Sequence, residues 1–426
     1  MVEKEHSVDE VFGINRDLPL NYVERATADR VLVDNLARGQ HLVIYGSSKQ
    51  GKTSLRKHCL KEDEYIVVHC SNKWELDDLH EAILKHAGFE LTVSKTVATS
   101  GKQKILAKIK AGIWGANAEG GAESEKTEEK RETKAPLELD PVDVNDIISA
   151  LKSIDFNKYI VLEDFHYLPV ETQKDFSVAL KAFHEKSKLC FIVIGVWLEE
   201  NRLSVYNGDL TGRLLPINAD KWTPDELEKV ISDGEALLNI EIDAGFKRNL
   251  LESCYESVYI VQETCHQCCT KEGVFKTQSE FKRVGENVDC SEIVTNVVNQ
   301  QGWRFNSFLT RFSEGFQDTT LDMHKWLLYP ILISDVEKID EGFKQSEIRN
   351  VLQRVHPRGE ELNSGNVTQS LQSSGSLQIK KDIKPIVLDY DQTNLRLNIV
   401  DKSFQIWLSK QYRNELLDLI GLPEMT

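Results

Sequence analysis

The run His41-Leu42-Val43-Ile44-Tyr45-Gly46-Ser47-Ser48-Lys49-Gln50-Gly51-Lys52-Thr53-Ser54 constrains this chain more than any other feature, because an apolar stretch of strand character empties into Gly-x-x-x-x-Gly-Lys-Thr. Leu55 and Cys59 then recur at helical spacing, so the run reads as strand, tight loop and helix. Glycine at 46 and 51 lets the backbone wrap tightly and turn its N–H groups inward, the arrangement that binds phosphate at a helix N-terminus. Lys52 adds a point charge for β- and γ-phosphate oxygens, and the Thr53 hydroxyl can ligate Mg²⁺. Gly46, Ser47, Ser48, Lys49, Gln50, Gly51, Lys52, Thr53 and Ser54 are therefore candidate contacts to a nucleoside triphosphate such as ATP. The competing reading is an ordinary Gly-Ser turn after a strand, but the complete pattern is uncommon by chance.

At 426 residues the chain exceeds one ordinary domain, and two or three are expected. No apolar stretch approaches the ~18 residues of a membrane helix, and the charged start Met1-Val2-Glu3-Lys4-Glu5-His6 has no signal-like apolar region. A cytoplasmic protein without membrane contact is the expectation. The formal charge of −16 argues against nucleic-acid binding over the whole surface, while leaving room for one basic module. The eight cysteines suit a reducing compartment, Cys70 and Cys190 reading as small core residues. Cys265-x-x-Cys268 has a zinc-like spacing, but no second such pair exists to close a site. With Cys254, His266, Cys269 and Cys290 nearby, the run from Val258 onward reads as a buried helix face, a metal site being the alternative.

Strand and helix alternate from residue 20 to 90, the rhythm of a parallel sheet. Between 91 and 140 the composition shifts to Lys, Gly, Ala and Glu, with a charged stretch over 123–134 that has almost nothing to bury. The basic and apolar segment 102–114 reads as a surface hairpin or flexible arm, with partner contact or membrane contact as alternatives. The rhythm resumes at Pro141, with a helix over 144–154, an apolar strand over 159–162 ending in Glu163 and Asp164, and a helix over 172–186. A strand over 189–195, a fifth over 214–217 and a helix over 224–238 complete an α/β domain with a five-stranded parallel sheet.

A bound Mg²⁺ nucleotide needs a carboxylate for the metal's water shell and, for hydrolysis, a base or water-positioning group. Glu163 and Asp164, at a strand's C-terminal edge, meet both needs; the competing reading is a solvated strand end. The usual order is Asp then Glu, so which carboxylate does which is open. About 110 residues separate Thr53 from this pair, roughly double the spacing of compact versions of such domains, and the insertion accounts for the excess.

With these elements placed, residues 15–240 resemble the AAA+ and STAND class of P-loop ATPases, near the origin-recognition and archaeal-type branch. In that resemblance Asn21-Tyr22-Val23-Glu24-Arg25 matches the segment that covers the adenine, which makes Tyr22 and Arg25 nucleotide contacts. Asp209-Leu210-Thr211-Gly212-Arg213 matches the position of an arginine finger, so Arg213 would reach a neighbouring subunit's γ-phosphate; a surface salt bridge is the alternative. Two departures stand out. Gly195-Val196-Trp197 offers no clear polar sensor after the fourth strand, Asn201 being a weak substitute, and Ser257-Val258-Tyr259-Ile260-Val261-Gln262 lacks the usual lid arginine. Slow hydrolysis, or nucleotide acting mainly as a switch, is implied.

Beyond a helical lid over 241–320, helices over 324–332, 346–355 and 364–371, the last capped by Asn363, precede strands over 386–390 and 396–400. Three helices and a hairpin within 321–426 make a winged helix. From 344 to 413 there are eleven Lys and Arg against seven Asp and Glu, a mildly basic module. Two functions follow. The first is an ATP-hydrolysing switch that controls self-association or a protein effector or regulator, as STAND proteins do in prokaryotic stress and antiviral responses. The second is a DNA-binding ATPase of the origin-recognition type. The first is favoured because the third helix, with Val367, Thr368, Gln369 and Ser370, has no arginine for guanine edges or phosphates, although Lys380, Lys381 and Lys384 keep the second open.

Overall fold

The structure is a computed structural model that describes residues 4–14, 17–97, 103–110, 136–317 and 319–425. In chain order its first strands are β1 (His41–Tyr45), β2 (Tyr65–His69), β3 (Phe89–Val97), β4 (Gln103–Ile109), β5 (Leu137–Leu139), β6 (Tyr159–Glu163), β7 (Phe191–Ile194) and β8 (Leu214–Asn218). Five of them form the expected parallel sheet, in the order β2-β6-β7-β1-β8. Period-two alternation covers both of its faces. Leu42 and Ile44 of β1 face a cluster with Ala28, Leu32 and Leu55, whereas Val43 and Tyr45 face Leu79, Ile147, Phe176 and Phe183 on the other side. The register pairs Ile44 with Ile194, Tyr45 with Asn218 and His69 with Glu163, so the C-terminal ends of all five strands finish along one edge. Ligands bind at such an edge, where the strand order switches direction.

The insertion departs from expectation. β3, β4 and β5 form an antiparallel sheet, with Phe89, Ile105, Ala107 and Leu139 buried in the same cluster as one face of the parallel sheet. Residues 103–109 are the second strand of a hairpin with β3, as one expectation for this segment had it, but a middle strand with a core face and not a flexible arm, because Ile105 and Ala107 are buried while Lys104, Leu106 and Lys108 between and beside them are not. The charged stretch 123–134 and Ile113-Trp114 lie outside the described residues. Among the described residues, no helix is long and apolar enough to cross a membrane.

After the helix Pro224–Leu238 come β9 (Ile240–Ile242), β10 (Lys282–Val284) and the helices Ala244–Ser253, Val258–Lys271, Cys290–Asn299 and Gly302–Ser313. Cys254, Cys265, Cys268, Cys269 and Cys290 are free thiols buried in an apolar cluster with Ile260, Val261, Ile293 and Val297, which is the helix-face reading. The helices Met323–Ile333, Gln345–Val355 and Ser364–Lys380 follow, with an antiparallel sheet of β11 (Phe343–Lys344), β13 (Arg396–Ile399) and β12 (Leu388–Asp391).

The third of these helices is two turns longer than the sequence suggests. Ser373-Ser374-Gly375-Ser376 reads as a breaker, but the Ser373, Ser374 and Ser376 hydroxyls bond carbonyl oxygens of the preceding turn. Gln378, buried just beyond, accepts from the Val387 and Leu388 N–H groups and donates to the Leu388 carbonyl, so the strand β12 holds the extra turns in place.

The hairpin β12–β13 docks on the loop after β7. Both Asp389 carboxylate oxygens accept from Arg202 Nη2 at 2.6 Å, with both side chains buried, and Thr393 donates to Glu199 at 2.7 Å. Val196, Ile386 and Val400 form a small apolar cluster at the same junction. Removing one partner of a buried ion pair strands the other charge. Asp389→Ala is therefore expected to cost about 3–5 kcal/mol of docking stability, read as a lower urea midpoint and faster proteolysis near residue 384; an unchanged midpoint would show that the pair does not hold the junction.

Candidate functional site

The loop after β1 is built from conformations that few residues other than glycine adopt. Gly46 has φ +142°, and a Cβ there would lie 2.7 Å from an Asp220 carboxylate oxygen; Gly51 has φ +79° and begins the helix Lys52–Cys59. The Asp220 carboxylate accepts from the Ser47 N–H at 2.7 Å and the Ser47 hydroxyl at 2.7 Å, which pins the base of the loop to the end of β8. Lys52 is buried, and its ammonium donates to the Gly46 carbonyl at 3.0 Å and to the Ser47 carbonyl. Burial pushes Lys52 down to about 8, against the pull of Asp220, Glu163 and Asp164.

Ser48 to Ser54 line a cavity of about 360 Å³ with Glu163, Asp164 and His166 from the end of β6 and with Tyr22 and Trp222. Thr53 is exposed within it. Glu163 is buried and accepts from Arg56 Nε at 3.0 Å; burial raises its carboxyl while the Arg56 charge draws it back. Asp164 sits in the left-handed region at φ +59°, and burial raises its carboxyl against His69 and Lys52. The sequence's central pairing of phosphate loop and acidic strand end is thus one cavity wall. His166 is buried, its Nδ1 accepts from the Val196 N–H at 3.3 Å, and burial, with Lys52 and Arg202 nearby, pushes it down to about 3.

The remaining expected residues divide. Tyr22 lines the cavity, stacks on His58 at 4.5 Å and donates to Asp29 at 2.6 Å. Gly46 and Ser47 lie beneath the lining and shape it. Arg25 is fully buried and does not line the cavity; its guanidinium lies 4.2 Å from the Trp222 ring and donates to the Ala219 carbonyl at 2.8 Å. It supports the wall from behind. Arg213 is at the opposite end of the sheet, where its carbonyl accepts from the His41 N–H, and its guanidinium is paired with Glu185 at 2.9 Å. It does not line its own chain's cavity.

Several residues at the site are not evident from sequence. Asp220 and Trp222 follow the fifth strand directly and are polar and aromatic where a strand end meets a phosphate loop, the one available signal. Asn21 and Gln262 exchange amide hydrogen bonds of 2.9 and 2.8 Å across 241 residues of sequence, joining the entry segment to the helix Val258–Lys271. Most consequential are the loop's contacts to distant elements. The Ser48 N–H donates to the Val400 carbonyl at 3.0 Å, and Lys49 donates to Gln301 at 2.9 Å with its ammonium 3.9 Å from the Tyr259 ring.

The residues fit a magnesium nucleotide. The glycine-walled loop, the Lys52 charge, the exposed Thr53 hydroxyl and two carboxylates supply phosphate and Mg²⁺ ligands, and about 360 Å³ falls in the ordinary range for small-molecule sites.

The sequence matches no protein-family model and no curated protein. By structure, the chain is similar to a Walker-type ATPase of Pyrococcus abyssi, with TM-score 0.44 and 11% identity over 91% of this chain and 99% of that one. It is also similar to the Orc1 protein of Aeropyrum pernix in complex with DNA, with TM-score 0.43 and 10% identity over 96% and 98%. A RuvB variant of Thermotoga maritima gives TM-score 0.36 and 10% identity over 92% and 96%. What the site can do follows from its own residues.

An anion beside Lys52 restores the ammonium that burial destabilises, so its proton affinity is higher with nucleotide bound than without. ADP affinity is therefore expected to fall by up to roughly tenfold per unit as pH rises above about 8, measured by calorimetric titration. In Lys52→Met binding is weaker and the fall is smaller, reduced to what Lys49, also pushed down to about 8 by burial, contributes; an equal fall in both proteins would place the titrating group elsewhere.

Proposed function

We propose that this chain is an ATP-binding and ATP-hydrolysing switch of the AAA+ type, in which nucleotide controls the docking of the C-terminal elements and, through it, self-association or a protein effector. The observation that carries this reading is the hydrogen bond from the Ser48 N–H to the Val400 carbonyl. Phosphate-loop N–H groups are the donors that bind nucleotide phosphates. One that is given to a distant segment makes phosphate and docked segment competitors. Lys49, held by Gln301 and Tyr259, adds a second such competition.

In this reading Lys52 and the loop N–H groups hold the phosphates, while Thr53 and Glu163 hold Mg²⁺, which supplies charge neutralisation at the transferring phosphoryl group. Asp164, without an ion-pair partner among the described residues, orients water and accepts its proton. Tyr22 and Trp222 flank the base. Arg213 would exchange Glu185 for the γ-phosphate of a neighbouring copy, which makes a homo-oligomer the active form.

We read 1–240 as the ATPase unit, 241–320 as the lid and 321–426 as a winged helix used for interaction. The DNA-binding alternative is less well supported. The hairpin that would act as the wing is tied down through Asp389 and Thr393, and of the three lysines that favoured DNA, Lys381 pairs with Glu314, Lys384 with Asp382, and Lys380 lies 5.0 Å from the Phe316 ring.

Lys52→Ala is expected to weaken nucleotide binding strongly. Glu163→Gln and Asp164→Asn should keep binding but lose about 10²–10⁴-fold in phosphate release, and the particle mass should rise with a slowly hydrolysed ATP analogue relative to ADP. Phosphate release unchanged in all three variants contradicts the site.

A further inference from the structure

The chain lacks a polar side chain directly after β7, the place where a group that reads the terminal phosphate was expected. His166 occupies the neighbouring position in space. Its Nδ1 accepts from the Val196 N–H, and Val196 is two residues beyond β7, so the ring bridges the end of β6 and the end of β7. An Nδ1 that accepts leaves Nε2 to carry the ring's proton. That Nε2 is buried and has no hydrogen-bond partner, a costly state for a donor that the fold keeps unsatisfied. His166 lines the same cavity as Lys52, Glu163 and Asp164.

It also forms part of a second cavity, of about 420 Å³, between the parallel-sheet unit and the C-terminal helix and hairpin. Its ring lies 4.1 Å from that of Tyr167, which packs against Val196, Ile386 and Val400 and lies 5.4 Å from the Lys384 ammonium. This buried, unsatisfied imidazole therefore stands between the phosphate cavity and the segment that holds the Ser48 N–H.

We propose that the His166 Nε2–H donates to the terminal phosphoryl oxygens of ATP, so that His166 distinguishes ATP from ADP where the expected sensor is missing. This rests on the nucleotide reading above. Once Nε2 is engaged, the ring's contact with Tyr167 carries the difference to residues 384–400.

The test is calorimetric titration of the full chain with ADP and with β,γ-imido-ATP, both with Mg²⁺. The wild type is expected to favour the imido analogue. His166→Phe, which fills the space without a donor, should leave ADP affinity within about twofold and weaken the analogue by roughly tenfold or more, the range for a hydrogen bond to a charged group. His166→Gln, whose amide donates, should recover most of the difference. Equal weakening of both nucleotides in His166→Phe would mean a structural role only, and no change in either would mean no contact; each overturns the proposal. If His166→Phe does not fold, His166→Leu is the donor-free variant judged by the same ratio. Failure of the underlying reading looks different: the wild type then binds neither nucleotide, or binds both regardless of Lys52→Ala.

Discussion

The Ser48 N–H makes a good hydrogen bond with one acceptor at a time, and here that acceptor is the Val400 carbonyl, 3.0 Å away and 352 residues along the chain. Much of the architecture serves to bring the two together. β1 delivers the loop to the C-terminal edge of the sheet, Asp220 fixes its base, and Val196, Ile386 and Val400 exclude water from the junction. The Arg304–Asp401 pair, 2.6 Å apart and nearly buried, and the Arg202–Asp389 pair hold the segment around Val400 from both sides. A backbone bond worth about 1 kcal/mol in net terms would be a weak latch alone. Anchored by two buried ion pairs and an apolar seal, it becomes a defined state, the one that phosphate would displace in the proposed switch.

The charges around the loop would favour that displacement. Lys52 is buried against loop carbonyls and depressed to about 8, a condition that an anion relieves. Glu163 and Asp164 are raised by burial and stand ready for a cation. The site thus holds both signs of charge in an environment that disfavours each of them singly, and a magnesium nucleotide would supply the complement of both. Arg56, which pairs with Glu163 and lies 4.7 Å from the Tyr65 ring, limits that strain by keeping one carboxylate compensated.

What the sequence makes legible is local. Strand β1, the glycines and Lys52-Thr53 are neighbours in the chain, and their pattern specifies strand, loop and helix without help from elsewhere. Glu163 and Asp164 are legible because an apolar run ending in carboxylates has few other uses beside a phosphate loop. Asp220, Gln262 and Val400 are illegible for the opposite reason: each acts through hydrogen bonds to a residue far away in sequence, and nothing in its own neighbourhood records the partner. The helix Ser364–Lys380 shows the same effect at the level of secondary structure, since a serine- and glycine-rich stretch of low helical preference is held by Gln378 and the strand beside it. Arg25 shows the limit of resemblance, for the segment is where expected but its guanidinium supports Trp222 from behind and does not line the cavity.

The central claim is that one loop serves two competing partners. Hydrogen–deuterium exchange of the full chain, with and without saturating β,γ-imido-ATP and Mg²⁺, tests it most directly. The account predicts that residues 46–54 become more protected while residues 384–401 become less so, in the same sample and over the same nucleotide titration. Protection that rises in both segments, or that leaves 384–401 unchanged, would contradict it.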